Sequence, residues 1–155
     1  SYAAARAEDR EAGRWVPRSW DQRHAASAGL DLELPRDWNV NLAATCHTGW
    51  PTTAVTAEVM GGDEGEPELE LRLGPRNGER LPSYLRLDLR ASKSWTLRRG
   101  ELTAVLDVLN LTDRRNLCCV EDVTTEVDDD GTVTVLPEHG TWAPLVPSLS
   151  LQWSF

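Results

Sequence analysis

The chain has 155 residues, room for one domain, and sets 25 acidic against 16 basic side chains for a net charge of −9. That balance argues against nucleic acid as a partner, since few cations are free to neutralise phosphates. No apolar run approaches the ~18 residues of a membrane helix, but strands can cross a bilayer with only half their residues apolar.

From Ala3 to Gly13 the chain is polar and charged, without the apolar centre of a secretory leader. Ser1 stands where an initiator Met would, so the chain is expected to be processed or a fragment. Ser1 to Glu8 reads as the upper end of a first strand, and Asp9 to Trp20 as a long connection. From there on the apolar residues recur with period two, the mark of strands with one apolar and one polar face.

Asp21 to Leu34 sets His24, Ala26, Ala28, Leu30, Leu32 and Leu34 against Arg23, Ala25, Ser27, Gly29, Asp31 and Glu33. Pro35-Arg36-Asp37 is a short turn. Trp38 to Trp50 follows, with Trp38, Val40, Leu42, Ala44 and Cys46 on one face and Asn39, Asn41, Ala43 and Thr45 on the other. Pro51 to Pro82 is a long acidic loop. Ser83 to Trp95 alternates Leu85, Leu87, Leu89 and Ala91 with Tyr84, Arg86, Asp88 and Arg90. After the tight connection Thr96 to Gly100, Glu101 to Leu111 alternates Leu102, Ala104, Leu106 and Val108 with Thr103, Val105, Asp107 and Leu109. Thr112 to Pro144 is again long, and within it Cys119–Val127 and Thr132–Leu136 look like a hairpin joined by Asp128-Asp129-Asp130-Gly131. Leu145 to Phe155 is the last strand and ends on Leu149, Leu151, Trp153 and Phe155 at every second position.

These segments predict an all-β fold: an antiparallel up-and-down meander of about six long strands over residues 1–155, a fragment of a transmembrane β-barrel. Short turns at one end and long loops at the other characterise outer-membrane barrels. Tryptophan placement agrees. Trp38, Trp95 and Trp153 fall at the short-turn end, and Trp20, Trp50 and Trp142 at the long-loop end. At ~3.3 Å per residue and a tilt of about 40°, the stretch from Trp38 to Trp50 spans about 30 Å, close to a ~25 Å apolar band plus its girdles. Trp38, Trp50, Trp95 and Trp153 are therefore the expected membrane-interface aromatics, with Lys93 beside Trp95 free to snorkel. Arg86, Asp88, Arg90 and Asp107 are charges at strand centres, costly on a dry face and natural on the polar wall of a wet lumen, paired as wall-stiffening bridges or forming a track for a solute.

Two acidic clusters, Glu58 to Glu70 and Glu121 to Asp130, read as solvated loops, with a cation site as the sharper alternative. Cys118-Cys119 reads as two thiols, since adjacent cysteines close only a strained disulfide, and Cys46 as a small hydrophobe. His24, His47 and His139 form no set with a nucleophile, so no enzyme, resident metal or cofactor is expected. Asn110-Leu111-Thr112 matches a glycosylation pattern at a strand end, an unsuitable place for it.

Several stretches resemble the C-terminal barrel segment of TonB-dependent outer-membrane receptors. Trp20-Asp21-Gln22-Arg23-His24 resembles the start of a descending strand, Gly49-Trp50-Pro51 a strand's exit into its loop, and Leu81 to Arg90 the next descent. Leu106-Asp107-Val108-Leu109-Asn110-Leu111-Thr112-Asp113 resembles the penultimate strand, and Pro147 to Phe155 the last. The resemblance covers nearly the whole chain. It implies a place in a plugged barrel of about 22 strands in the bacterial outer membrane. It implies a scarce ligand (ferric siderophore, cobalamin or glycan), and the lipid bilayer and TonB as partners, TonB acting through an N-terminal plug region expected to be missing here. It further implies that Leu149, Leu151, Trp153 and Phe155 are an assembly signal read by the barrel-assembly machinery. Six strands cannot close such a barrel, so the chain is expected to be its last quarter, without transport activity by itself. A passive porin-type barrel and a soluble β-sandwich binding module are the alternatives. The sandwich requires Leu30, Leu42, Leu87, Leu106 and Leu151 to pack against one another across two sheets.

Overall fold

The computed structural model describes residues 1–61, 67–128 and 133–155. The described residues form strands and connections, with no helix among them. In chain order the strands are β1 (Tyr2–Ala4), β2 (Glu8–Glu11), β3 (Arg14–Pro17), β4 (His24–Leu34), β5 (Trp38–His47), β6 (Pro51–Thr52) and β7 (Val55–Gly61). They continue as β8 (Pro67–Leu73), β9 (Glu79–Arg80), β10 (Tyr84–Leu97), β11 (Gly100–Leu109), β12 (Leu117–Val127), β13 (Val133–Thr141) and β14 (Val146–Ser154).

Six of these make one antiparallel sheet in the order β1-β4-β5-β10-β11-β14. Each strand neighbours the next long strand in sequence, which is the expected up-and-down meander. The sheet is open, with β1 and β14 as its edges. Its strands are long because the period-two pattern runs unbroken until a turn residue stops it. Arg36 and Asp37, both at positive φ, turn β4 into β5, and Gly100, at φ +103°, begins β11 directly after Arg98-Arg99. The four smaller two-stranded sheets, β2-β3, β6-β9, β7-β8 and β12-β13, all belong to the three long connections. Both short turns lie at one end of the main sheet, and the chain end after β14 lies with them, since Leu102 pairs with both Trp95 and Trp153. The long connections all leave from the opposite end.

The strand bounds differ from the sequence expectation where a local tie interrupts the pattern. The first long strand begins at His24 because Asp21 turns inward and is fully buried. The second stops at His47, three residues before Trp50, and Gly49 passes so close to the Leu81 and Pro82 carbonyls that a side chain there would overlap them. The expected loop hairpin is present in β12 and β13 and is longer than the sequence suggested. Of its turn, Asp129, Asp130, Gly131 and Thr132 lie outside the described residues, as do Asp63, Glu64 and Glu66 of the other acidic cluster. The hairpins β2-β3 and β7-β8 lie in stretches where the sequence suggests plain loop. Glu8-Asp9-Arg10-Glu11 has no apolar alternation, and its strand is held by pairing with Arg14–Pro17 across the Ala12-Gly13 turn.

Among the described residues the buried hydrophobic side chains are Leu81 and Val105, and the buried polar ones are Asp21, Asn77, Asn110 and Asn116. For a chain of this length in water that inverts the usual interior.

Candidate functional site: an apolar face, a polar wall and the loop base

Register decides which side chains share a face. Leu30 pairs with Leu42, and Leu42 with Leu89. Leu89 then pairs with Val108, and Val108 with Pro147. The row beside it runs Leu32, Val40, Ala91, Leu106 and Leu149. One face of the sheet is therefore apolar from β4 through β14. Nothing in the described chain covers it. Leu30 is 51% exposed, Leu149 72% and Leu151 68%. The five leucines that a sandwich would pack across two sheets all lie on this single face.

At the short-turn end the apolar face finishes in aromatics. Trp38, Trp95 and Trp153 lie near this margin, and the Lys93 ammonium sits between the first two, 5.6 Å from the Trp38 ring and 5.8 Å from the Trp95 ring. It also donates to the Arg36 carbonyl, so a stem rooted on the apolar face carries its charge to the turn. Trp153 donates its indole N–H to the Arg99 carbonyl at 3.1 Å and meets Phe155 edge-on, with centroids 6.2 Å apart. Leu149, Leu151, Trp153 and Phe155 are all exposed on this face.

The opposite face is polar. Arg90 and Asp107 approach to 3.6 Å across β10 and β11, and Arg86 reaches Asp88 on its own strand at 3.0 Å. Asn41 donates to Asp31 at 2.9 Å, and Ser94 and Thr103 share a hydrogen bond. The charges at the strand centres are thus paired along and between strands.

Trp50 is placed differently from Trp38. With β5 ended at His47, Trp50 leaves the alternation and stacks on His47, 5.3 Å between centroids, while His47 stacks on Tyr84 at 4.6 Å. Trp142 meets Trp50 edge-on at 5.6 Å. His47 pairs with both Ala25 and Tyr84 in the polar register. Together with Thr45 and Arg86 these rings line a hollow of about 260 Å³ at the loop end of the polar wall. Trp20 stays exposed in its loop under the Arg18 guanidinium.

Below the loops lies a set of buried polar ties that the sequence did not announce. Asp21 accepts from the Ala7 amide at 2.6 Å and from Arg80, which also donates to the Asp21 and Gly49 carbonyls at 2.9 and 3.0 Å. Burial pushes the Asp21 carboxyl up, but the Ala7 amide, Arg80 and Arg23 together outweigh it and hold the group below its ordinary value of 3.8. Asn77 joins the first long connection to the second by donating to the Pro17 carbonyl at 2.7 Å. The Asn116 amide acts as a strand neighbour, accepting from Leu85 N–H at 3.0 Å and donating to Leu85 C=O at 2.9 Å. Asn110, fully buried, spans the Arg114 and Ala143 carbonyls, and its own N–H donates to Asp88. Its side chain is consumed inside the fold, in keeping with discounting the glycosylation pattern there. Apart from the Asn110–Arg114 contact, each is a long-range pair involving a residue with no periodic signal. Comparison with protein-family models, with curated proteins and with solved structures finds no match for this chain.

Proposed function

We propose that the chain is part of the wall of a bacterial outer-membrane transporter of the TonB-dependent type, which takes up a scarce ligand such as a ferric siderophore, cobalamin or a glycan. The observation that carries this is the pair of unlike faces on one six-stranded sheet, apolar and uncovered on one side, polar and ion-paired on the other. Water disfavours so large an open apolar face, whereas a bilayer on one side and a wet lumen on the other suit both faces at once. The Trp38–Lys93–Trp95 group supports the same reading at the short-turn margin, where amphipathic rings and a snorkelling amine match headgroup depth. In this reading β14, with Leu149, Leu151, Trp153 and Phe155, is the strand offered to the barrel-assembly machinery, and TonB acts on a plug elsewhere in the parent receptor. The hollow ringed by His47, Trp50, Tyr84 and Trp142 lies above the lumen wall.

The test is fluorescence quenching by lipids brominated on their acyl chains, in vesicles carrying the chain and variants with one Trp at a time replaced by Phe. Trp38, Trp95 and Trp153 are expected to be quenched, and Trp50 and Trp142 spared. Recovery of the chain as a stable monomer from detergent-free buffer, with none of its tryptophans reached by the lipid, overturns the membrane reading.

A further inference from the structure

Hairpin β12-β13 carries a feature that neither the sheet nor the loop ties use. In a regular strand, neighbours such as Cys118 and Cys119 point to opposite faces. Here the register slips twice, between Leu117 and Cys119 and again between Val120 and Asp122. The residues left over at the two slips are Cys118 and Glu121. A bulge turns an extra residue out of the alternation, and the pair of bulges brings three side chains together. The Cys118 and Cys119 sulfurs are 2.6 Å apart, and with the Glu121 carboxylate their ligand atoms lie within 4.8 Å of one another. The opposite strand makes room for them. Gly140 pairs with Cys119, and a Cβ there would fall 2.9 Å from the Cys118 sulfur and overlap the Glu121 carboxylate.

We propose that Cys118, Cys119 and Glu121 form a binding site for a thiophilic divalent cation of the zinc or cadmium class. Two sulfurs and one carboxylate are a ligand set for a borderline-soft d¹⁰ ion and a poor one for magnesium or calcium, which take oxygen. Zinc holds sulfur at about 2.3 Å, so the two sulfurs part by about an ångström as the ion enters, and water completes the tetrahedron. On binding, each thiol gives its proton to solvent and the carboxylate keeps its charge, so one dication replaces two protons. The hydrogen bond with Cys119, and burial after it, push the Cys118 thiol up. Asp122 sits opposite Glu138, which makes the surrounding hairpin electronegative and draws cations toward it. The third thiol, Cys46, lies on the main sheet, in register with Ala26 and Leu85, and takes no part. The site is independent of the membrane reading, since it is built within one hairpin.

Cadmium alone is the probe, added to the full chain in detergent micelles with its thiols kept reduced. A thiolate-to-cadmium charge-transfer band is expected to grow to one equivalent of metal, and zinc is expected to displace it. Cys118→Ser with Cys119→Ser should abolish the band, and Glu121→Gln should weaken binding about tenfold with the far-ultraviolet circular dichroism unchanged. Gly140→Ala, which keeps every ligand and crowds the site, should weaken it as well. A band that survives the double serine variant, or an affinity that Glu121→Gln leaves within about twofold, overturns the site.

Discussion

Asp21 and Asn116 show how much a single side chain holds at the loop end. Asp21 is fully buried with Arg80 as its counter-ion, and a buried pair broken on one side leaves an uncompensated charge. Arg80 keeps a quarter of its side chain in solvent, which softens the usual penalty, so Asp21→Ala should cost about 2–4 kcal/mol. Urea unfolding from vesicles measures it. The pH dependence follows from the lowered carboxyl. The Asp21 ties are fully present above the ordinary value of 3.8 and are lost as pH falls through the lower folded value. The Ala7 amide, which donates to Asp21, should therefore stay protected from hydrogen exchange at pH 5 and lose protection only under stronger acid, once intrinsic exchange rates are divided out. Asn116→Ala strips partners from both Leu85 N–H and Leu85 C=O. It should cost about 1–3 kcal/mol, with the faster exchange centred on Leu85.

At the scale of the element, the last strand is exposed at every residue, and its seating depends on Gly100. A Cβ at Gly100 would overlap the Ser154 carbonyl and fall 3.0 Å from the Phe155 Cα. Positive φ at the same residue adds strain for any other side chain. Gly100→Ala should therefore unseat the end of β14 from β11, seen as faster exchange from Gln152 to Phe155 and a red-shifted Trp153 emission. A substitution on the polar wall should behave otherwise. Arg90 and Asp107 are each about half exposed, and exposed pairs contribute ~0–1 kcal/mol. Asp107→Asn should lower the unfolding free energy by no more than about 1 kcal/mol, so this pair orders the wall more than it stabilises it.

For the whole molecule, the two faces of the main sheet should answer differently to the same charge. Leu89 lies mid-strand on the apolar face and Ser92 on the polar face of the same strand. Leu89→Arg should lower stability in vesicles by about 2–4 kcal/mol, the cost of a cation near the bilayer midplane, while Ser92→Arg should stay within about 1 kcal/mol. Equal effects would mean that neither face meets lipid. The five long strands of the meander were legible from residue order alone, because alternation over ten or so positions is a local property and register follows from it: once Leu30 faces one way, Leu42 and Leu89 must join it. The same alternation predicted which charges share the polar wall, though not that Arg86 pairs along its strand with Asp88 rather than across to a neighbour. Tertiary structure alone decided the loop end. Trp50 lies three residues beyond the last paired residue of β5, where parity no longer binds, and its place over the polar wall comes from His47 and Trp142. Asp21, Asn77 and Asn116 are polar residues whose burial depends on partners tens of positions away. The gathering of Cys118, Cys119 and Glu121 depends on two register slips that only the pairing of β12 with β13 reveals. Period governs strands because a strand's two faces repeat along the chain; loops have no such repeat, and their contacts are set by which distant atoms the strands bring near.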